Sequence, residues 1–314
     1  MSVENATRSN ASSEIILSKY LLILGNGFDL DLGMKTRYSD FFNSSFWPAF
    51  DGYSTLRNRL EEAAEENPEW FDIESLLRRF ALTQDDIGYF SNDKAFFDEL
   101  LKSFSAYIRA IDKPDNCNSS LAARIINAVK LNARYKIYSF NFTDYEGGKV
   151  SHTSSRERMI EHIHGRAAND SIIIGIDDDV KLAEERNSFL YKTFSPHCSS
   201  KRLAFDLDSA KEVIIFGHSF GDIDYPYFKK FFRDVCNESN TERRMRKITI
   251  ITYDEESRIR ILMQLRNMNE NKMSYLFHKN DLQFICTEPS VRSQYESKIE
   301  TLLKLINDTR PLYY

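Results

Sequence analysis

The sequence predicts an α/β fold on a mostly parallel sheet, with a block of helices inserted near its start. Three observations carry this. Short apolar runs alternate with helical stripes through the second half of the chain. The first apolar run, Leu21–Leu24, opens directly onto a glycine-rich turn, Gly25-Asn26-Gly27. Polar residues suited to chemistry stand just after apolar runs at Gly25-Asn26-Gly27, Asn141, His164 and Gly217-His218-Ser219. Strands alternating with helices join through right-handed crossovers and pair in parallel. In such sheets the residues that handle ligands lie just past the carboxyl ends of the strands.

Taken in order, Met1–Glu14 is polar and reads as a flexible segment outside a single domain over 15–310. It has no basic region leading into an apolar core, so it does not read as a signal peptide. Leu21–Leu24 reads as a buried strand, Gly25–Gly27 as a sharp turn, and Phe28–Phe41 as a helix with Asp29 at its start. A strand, a glycine turn and a helix N-terminus together make an anion site, because free N–H groups face the ligand. The dinucleotide fingerprint wants a third glycine where Leu30 stands; here the third is Gly33. No G-K-[ST] follows, which excludes an ATPase phosphate loop. A plain turn between strand and helix is the competing reading. Asp29 either caps the helix or contacts a ribose, and it is expected to point away from a diphosphate, which a carboxylate repels.

Residues from about 46 to 132 read as a helical insertion, a lobe over the site. Leu56–Glu66 ends at Asn67-Pro68, and apolar stripes follow at Trp70, Ile73, Leu76, Leu77 and Phe80, then at Phe96, Leu100, Phe104 and Ile108, then over Leu121–Val129. Trp70 and Glu74 lie one helical turn apart and either face a pocket or pack. Strands then read at Tyr135–Phe140, Met159–Ile163, Ser171–Ile176, Val213–Phe216, Ile248–Tyr253 and Leu282–Cys286, with helices at Tyr227–Val235, Asp254–Met268 and Val291–Ile306. The run Asp177-Asp178-Asp179 reads as a solvated turn before an irregular stretch over 180–200, and no metal site is expected. His162 alternates with His164, as a supporting partner or a core histidine. Asp222 and Asp224 precede a helix and read as caps, with Asp224 also a candidate ligand.

Composition bounds the class. At 314 residues, 42% hydrophobic and 28% charged, the chain reads as a soluble globular protein. A net charge of −5 argues against a nucleic-acid partner. The basic cluster Arg243-Arg244-Met245-Arg246-Lys247 reads as a solvated helix end. The apolar segment Ile15–Leu24 is too short to span a membrane. Cys117, Cys198, Cys236 and Cys286 stand far apart, without the spacing of a zinc site or a disulfide framework, which fits a reducing, cytoplasmic setting.

Several of these motifs occur together in one known family. Gly25-Asn-Gly-Phe-Asp with Gly33, Thr36, Tyr38 and Phe41, then Trp70 and Glu74, Phe140-Asn-Phe142, His162-Ile-His-Gly165, and Gly217-His-Ser-Phe-Gly-Asp-Ile-Asp224 with Tyr227-Phe228 resemble the bacteriophage abortive-infection AbiH family. That family resembles in turn a divergent sirtuin-type, Rossmann-like nucleotide-binding domain. Gly25, Gly27 and Gly33 match the sirtuin glycines, with Asn26 and Asp29 replacing Ala and Ser. Asn141 matches the sirtuin Gln-Asn-x-Asp signature, with Phe140 and Thr143 in place of Gln and Asp. His164-Gly165 matches the catalytic His-Gly, and Gly217-His218-Ser219 the Gly-Thr-Ser segment that touches the cofactor. The zinc module of the deacetylases has no counterpart. The resemblance therefore implies an antiphage effector that binds NAD and hydrolyses it, with His164 and Asn141 catalytic and Gly25, Asn26, Gly27, Phe28, Asp29, Gly217, His218, Ser219 and Asp224 binding. A second reading is a non-catalytic nucleotide-binding signalling or oligomerisation module.

The chemistry suits these residues. Cleaving the bond between nicotinamide and ribose builds an oxocarbenium-like centre, and nicotinamide leaves without a strong acid. A polar group that orients water or the ribose hydroxyls is useful, as is a base that takes a proton. Asn141 suits the first role, and His164, which titrates near neutral pH, suits the second. An always-active NAD hydrolase would poison its own cell, so a trigger is expected: a defence partner, an infection signal or homo-oligomer assembly. One rival remains. Gly217-His-Ser-Phe-Gly221 fits the G-x-S-x-G elbow of α/β-hydrolases, with Ser219 as nucleophile, His278 as base and Asp254 as acid.

Overall fold

Alternation along the first strand divides the core in two. The computed structural model describes residues 19–308, apart from 69–70, 84–89, 112–118, 133, 145–159 and 238–244. Met1–Glu14, Trp70, Cys117, Met159, and Arg243 and Arg244 of the basic cluster lie outside the described residues. In β1 (Tyr20–Leu24), successive side chains face opposite sides of the sheet. Leu22 and Leu24 join one core cluster and Leu21 and Ile23 the other, all four fully buried. Both faces therefore need helices, as a parallel sheet requires.

The chain provides them. After β1 come α1 (Asn26–Asp31), α2 (Tyr38–Phe42), α3 (Thr55–Glu66), α4 (Ile73–Leu82), α5 (Phe90–Ala110) and α6 (Leu121–Leu131), then β2 (Tyr135–Ser139) and β3 (Glu161–His162). A stretch with only short 3-10 turns leads to α7 (Leu203–Ser209) and β4 (Glu212–Phe216). The rest is α8 (Tyr225–Asp234), β5 (Arg246–Thr252), α9 (Glu255–Met268), α10 (Met273–Lys279), β6 (Asn280–Cys286) and α11 (Glu296–Asn307). α6 and α11 share the core of one face, and α7 to α10 cover the other. A third cluster joins Phe41, residues of α3 to α5 and the apolar residues Ile172, Ile174 and Leu190, and forms the helical lobe. α6, at the end of the predicted insertion, packs on the sheet instead.

The sheet has six strands, every pair parallel, in the order β3-β2-β1-β4-β5-β6. This is the Rossmann order, and its direction reverses between β1 and β4. The register then places the site. Leu24 pairs with Ser139 on one side and Phe216 on the other, and Ser139 pairs with His162. The next residues, Gly25, Phe140, Gly217 and Ile163, leave the sheet side by side.

Two predicted elements differ. The helix expected over 28–41 is two short helices, α1 and α2, because Gly33 takes a φ of 79°. Gly33 N–H bonds to Leu30 O and Met34 N–H to Asp29 O, the paired bonds of a Schellman cap. The expected strand over 171–176 does not join the sheet. Ile173 N–H bonds to His164 O, and Ile176 forms one isolated parallel bridge with Tyr191. Its isoleucines are apolar because they are buried beneath the lobe and not because they form a ladder.

The turns after β1 and β4 meet main chain to main chain. Gly27 N–H bonds to Gly217 O at 2.9 Å. A Cβ on Gly217 would come within 2.4 Å of Gly27 Cα and Phe28 N, and its φ is 67°. A Cβ on Gly221, a few residues on, would meet only Ser219 Oγ, at an ordinary contact distance of 3.7 Å. In urea unfolding, Gly217→Ala is expected to lose about 3 kcal/mol or more from backbone strain and overlap. Gly221→Ala is expected to change stability by less than about 1 kcal/mol. Equal losses at both positions would contradict the contact.

Candidate functional site

The four strand ends enclose a cavity of about 700 Å³. Gly25, Asn26, Gly27, Asp29, Asn141, His164, Gly217, His218, Ser219 and Asp224 all line it, so ten of the eleven residues named from the sequence come together. Phe28 does not. Its ring is fully buried in the core, edge-on to Phe216 at 5.3 Å, so its side chain cannot reach a ligand there.

Asn141 is fixed by its neighbours. Its Nδ2 donates to Gly25 O and to Asp29 Oδ1, both at 2.9 Å. Both acceptors lack a hydrogen to give, so the amide nitrogen must be the atom facing them. Asp29 Oδ2 accepts from Thr143 Oγ1 at 2.7 Å, and His162 Nδ1 lies 3.0 Å from Asn141 O. Asp29 is therefore a buried tie between α1 and the end of β2, turned to the protein. His162 supports the main chain of Asn141. Thr36 Oγ1 donates to Asn26 Oδ1 at 2.6 Å and holds that side chain likewise.

Across the cavity, Asp224 lies between two imidazoles. Oδ1 is 2.8 Å from His164 Nε2 and Oδ2 is 3.1 Å from His218 Nε2. Burial raises the Asp224 carboxyl, yet electrostatic attraction to His164 and the hydrogen bonds from His164 and His218 outweigh it and hold the group well below the ordinary carboxylate range. Phe140 packs against both imidazoles, with ring centroids at 5.5 Å from His164 and 4.4 Å from His218. Phe140 thus walls the two histidines.

The glycine turn works differently from the expected anion cradle. Gly25 N–H bonds to Phe216 O and Gly27 N–H to Gly217 O, so neither glycine amide remains for a ligand. α1 is only six residues long, which leaves little dipole. The main-chain N–H groups of Asn26, His218 and Ser219 make no protein hydrogen bond among the described residues, and all three residues line the cavity. An anion at this turn would be held by those three amides.

A second cavity, of about 990 Å³, opens on the β4–β6 side of the same contact. Gly27, Gly217, His218, Ser219 and Gly221 line both. The charges differ. The first cavity is bordered by Asp72, Glu74, Asp222 and Asp224, the second by Arg37, Arg260 and Arg292 beside Asp31 and Asp254. Tyr38 registers the negative field: burial, then Glu74, Asp72 and Asp224, push its hydroxyl well above the ordinary value. Arg78 and Arg79 of α4 reach the first cavity from the lobe.

Sequence reasoning missed one buried group. Lys192 Nζ lies 2.9 Å from Glu74 Oε1, tying the irregular stretch to α4. Burial lowers this ammonium, but Glu74 and Asp224 outweigh it and raise its pKa. Lys192 stands in no motif and no periodic run, so nothing in the chain marked it. Asp177-Asp178-Asp179 is a surface turn in which Asp178 accepts from Thr193 and Asp179 pairs with Arg78. No group of three or more metal-ligating side chains occurs among the described residues.

The geometry separates Ser219 from its supposed base. His278 precedes β6, at the amino edge of the sheet, whereas Ser219 follows β4 at the carboxyl edge. The seven residues of β6 at ~3.3 Å each put roughly 20 Å between those edges. Asp254 caps α9 by accepting Ser257 N–H at 2.8 Å. Ser219, His278 and Asp254 therefore form no Ser–His–Asp array.

No described helix is long and apolar enough to cross a membrane. A family model described as bacteriophage abortive infection AbiH matches residues 21–245, well over half of the chain. No curated protein matches it.

The Asp29 tie generates a stability prediction. Asp29→Ala removes an acceptor from both Asn141 and Thr143 in a buried site, and is expected to cost about 2–4 kcal/mol in urea unfolding. Thr143→Val, which removes one donor, is expected to cost less. A loss below 1 kcal/mol for Asp29→Ala would contradict the tie.

Proposed function

The chain belongs to the bacteriophage abortive infection AbiH family, and on that footing we propose that it is an antiphage effector that binds NAD and hydrolyses it to nicotinamide and ADP-ribose. One observation carries this reading: His164 and Asn141 converge on one cavity at the strand-order reversal of a Rossmann sheet. Ligands of open α/β sheets bind at that reversal.

The two cavities suggest how a dinucleotide lies. The acidic one suits the nicotinamide end, whose ring is cationic and whose ribose becomes cationic as the bond breaks. The one with three arginines takes the adenosine end. The diphosphate crosses the Gly27–Gly217 contact, where the amides of Asn26, His218 and Ser219 remain to be bonded. Asn141 gives both amide hydrogens to Gly25 and Asp29, and these bonds fix it at the cavity wall where a water or a ribose hydroxyl would be positioned.

Hydrolysis then runs as one exchange. Water attacks the ribose carbon, and the carbon–nitrogen bond breaks with its electron pair passing to the nicotinamide ring, which becomes neutral. The proton released by the water goes to His164. Lys192 and Glu74 brace the wall beneath the lobe. Unrestrained turnover would starve the host of NAD, so the activity is held off until an infection signal, a partner protein or self-assembly releases it.

The test is nicotinamide release from NAD by the triggered protein. His164→Ala and Asn141→Ala are each expected to lower it by ~10²-fold or more, the range of a lost acid–base or positioning group. ADP-ribose at 100 times its Kd is expected to stabilise the fold by about 2.7 kcal/mol. Thermal stabilisation without release would leave a nucleotide-binding module, and release insensitive to both substitutions would overturn the assignment of residues.

A further inference from the structure

Asp224 does more than line the cavity. A carboxylate only accepts hydrogen bonds, so the Nε2 atoms at 2.8 Å and 3.1 Å, from His164 and His218, both carry hydrogen. The two imidazoles differ at their other nitrogens. His218 Nδ1 receives the main-chain N–H of Phe220 at 3.0 Å, and must therefore be the bare nitrogen. Phe220 adopts a φ of 55°, a region that bulky residues avoid, and this turn is what brings its N–H onto the ring. A second proton on His218 would break that bond. His218 is thus held in one tautomer by these two bonds, 4% exposed and walled by Phe140, Phe220 and Phe228.

His164 has the same bond at Nε2 and none at Nδ1. No protein group among the described residues bonds that second nitrogen, and the ring lines the cavity beside Asn141. We propose that Asp224 is a positioning residue: held on one side by His218 and the Phe220 turn, it fixes His164 in the tautomer whose Nδ1 is bare and serves as the base of the site. That His164 acts as a base rests on the hydrolase reading above; the tautomer does not.

The lock makes an asymmetric prediction for Asp224→Asn. The new amide has one acceptor and one donor to share between two rings. His218 cannot change tautomer while Phe220 N–H faces its Nδ1, so it keeps its Nε2 hydrogen and claims the amide oxygen. The amide nitrogen is left facing His164 Nε2. His164 must then bare Nε2 and carry its hydrogen on Nδ1, where a base is needed. The fold and the volume of the site are unchanged, yet the proton acceptor is gone.

The experiment is ¹⁵N-edited NMR of the histidine side chains of the full chain, at a pH where the rings are neutral. Assignments come from His164→Gln and His218→Gln. In the unsubstituted protein both rings are expected to show a protonated Nε2 and a bare Nδ1. In Asp224→Asn, His164 is expected to switch to the Nδ1-protonated form while His218 stays as it was, with nicotinamide release falling ~10²-fold or more. A protonated Nδ1 on His164 in the unsubstituted protein would overturn the proposal, even if Asp224→Asn failed to fold. So would an Asp224→Asn spectrum in which His164 keeps its tautomer. If the tautomers are as expected but the triggered protein releases no nicotinamide, the hydrolase reading falls and the positioning role stands.

Discussion

The close contact between the turns after β1 and β4 sets the terms for the rest of the molecule. Two strands that neighbour each other in the sheet, but lie far apart in the chain, end in glycines whose main chains touch, with Gly27 N–H bonded to Gly217 O at 2.9 Å. A Cβ on Gly25 would meet Gly217 O at 2.6 Å, and one on Gly27 would meet Gly217 Cα at 2.7 Å. These glycines are needed because backbone meets backbone, whether or not a ligand also approaches. The same contact divides the carboxyl edge into two cavities of different charge, and the amides of Asn26, His218 and Ser219 beside it make no protein hydrogen bond among the described residues.

From that contact, buried polar ties radiate outward. Asp29 joins α1 to Asn141 and Thr143, and His162 secures Asn141 from β3. On the other side Asp224, at the start of α8, holds His164 from β3 and His218 from β4. Each tie crosses between elements that the sheet register has already aligned, so few degrees of freedom remain at the cavity. Such preorganisation is what a site needs when its chemistry depends on placing a water and a proton acceptor with little acid assistance. The lobe closes the arrangement through Glu74 and Lys192, a buried ion pair whose removal from either side would strand a charge.

Much of this was legible in the sequence, and the failures have physical reasons. Leu21–Leu24, Tyr135–Phe140, Val213–Phe216, Ile248–Tyr253 and Leu282–Cys286 mark strands because both faces of a parallel sheet are buried, which leaves continuous apolar runs. Ser171–Ile176 carries the same signal for another reason, burial between sheet and lobe, and composition cannot separate the two. Gly33 falls inside the helix that the sequence predicts over 28–41, whereas its positive φ ends one. Phe28, beside the glycine turn, reads as a ligand contact; as the second residue after Asn26 on α1 it points into the core. The carboxylate of Asp29 bonds to Asn141 and Thr143, which lie 112 and 114 residues on, beyond any local pattern. The role of Phe220 depends on one backbone angle that the sequence does not reveal.

In the proposed function one dinucleotide spans both cavities across the Gly27–Gly217 contact. A crystal structure with ADP-ribose tests it most directly. The diphosphate is expected on the N–H groups of Asn26, His218 and Ser219, the terminal ribose beside Asn141 and His164, and the adenosine on the side of Arg260 and Arg292. Adenosine in the acidic cavity, or a ligand that avoids the contact altogether, would contradict it.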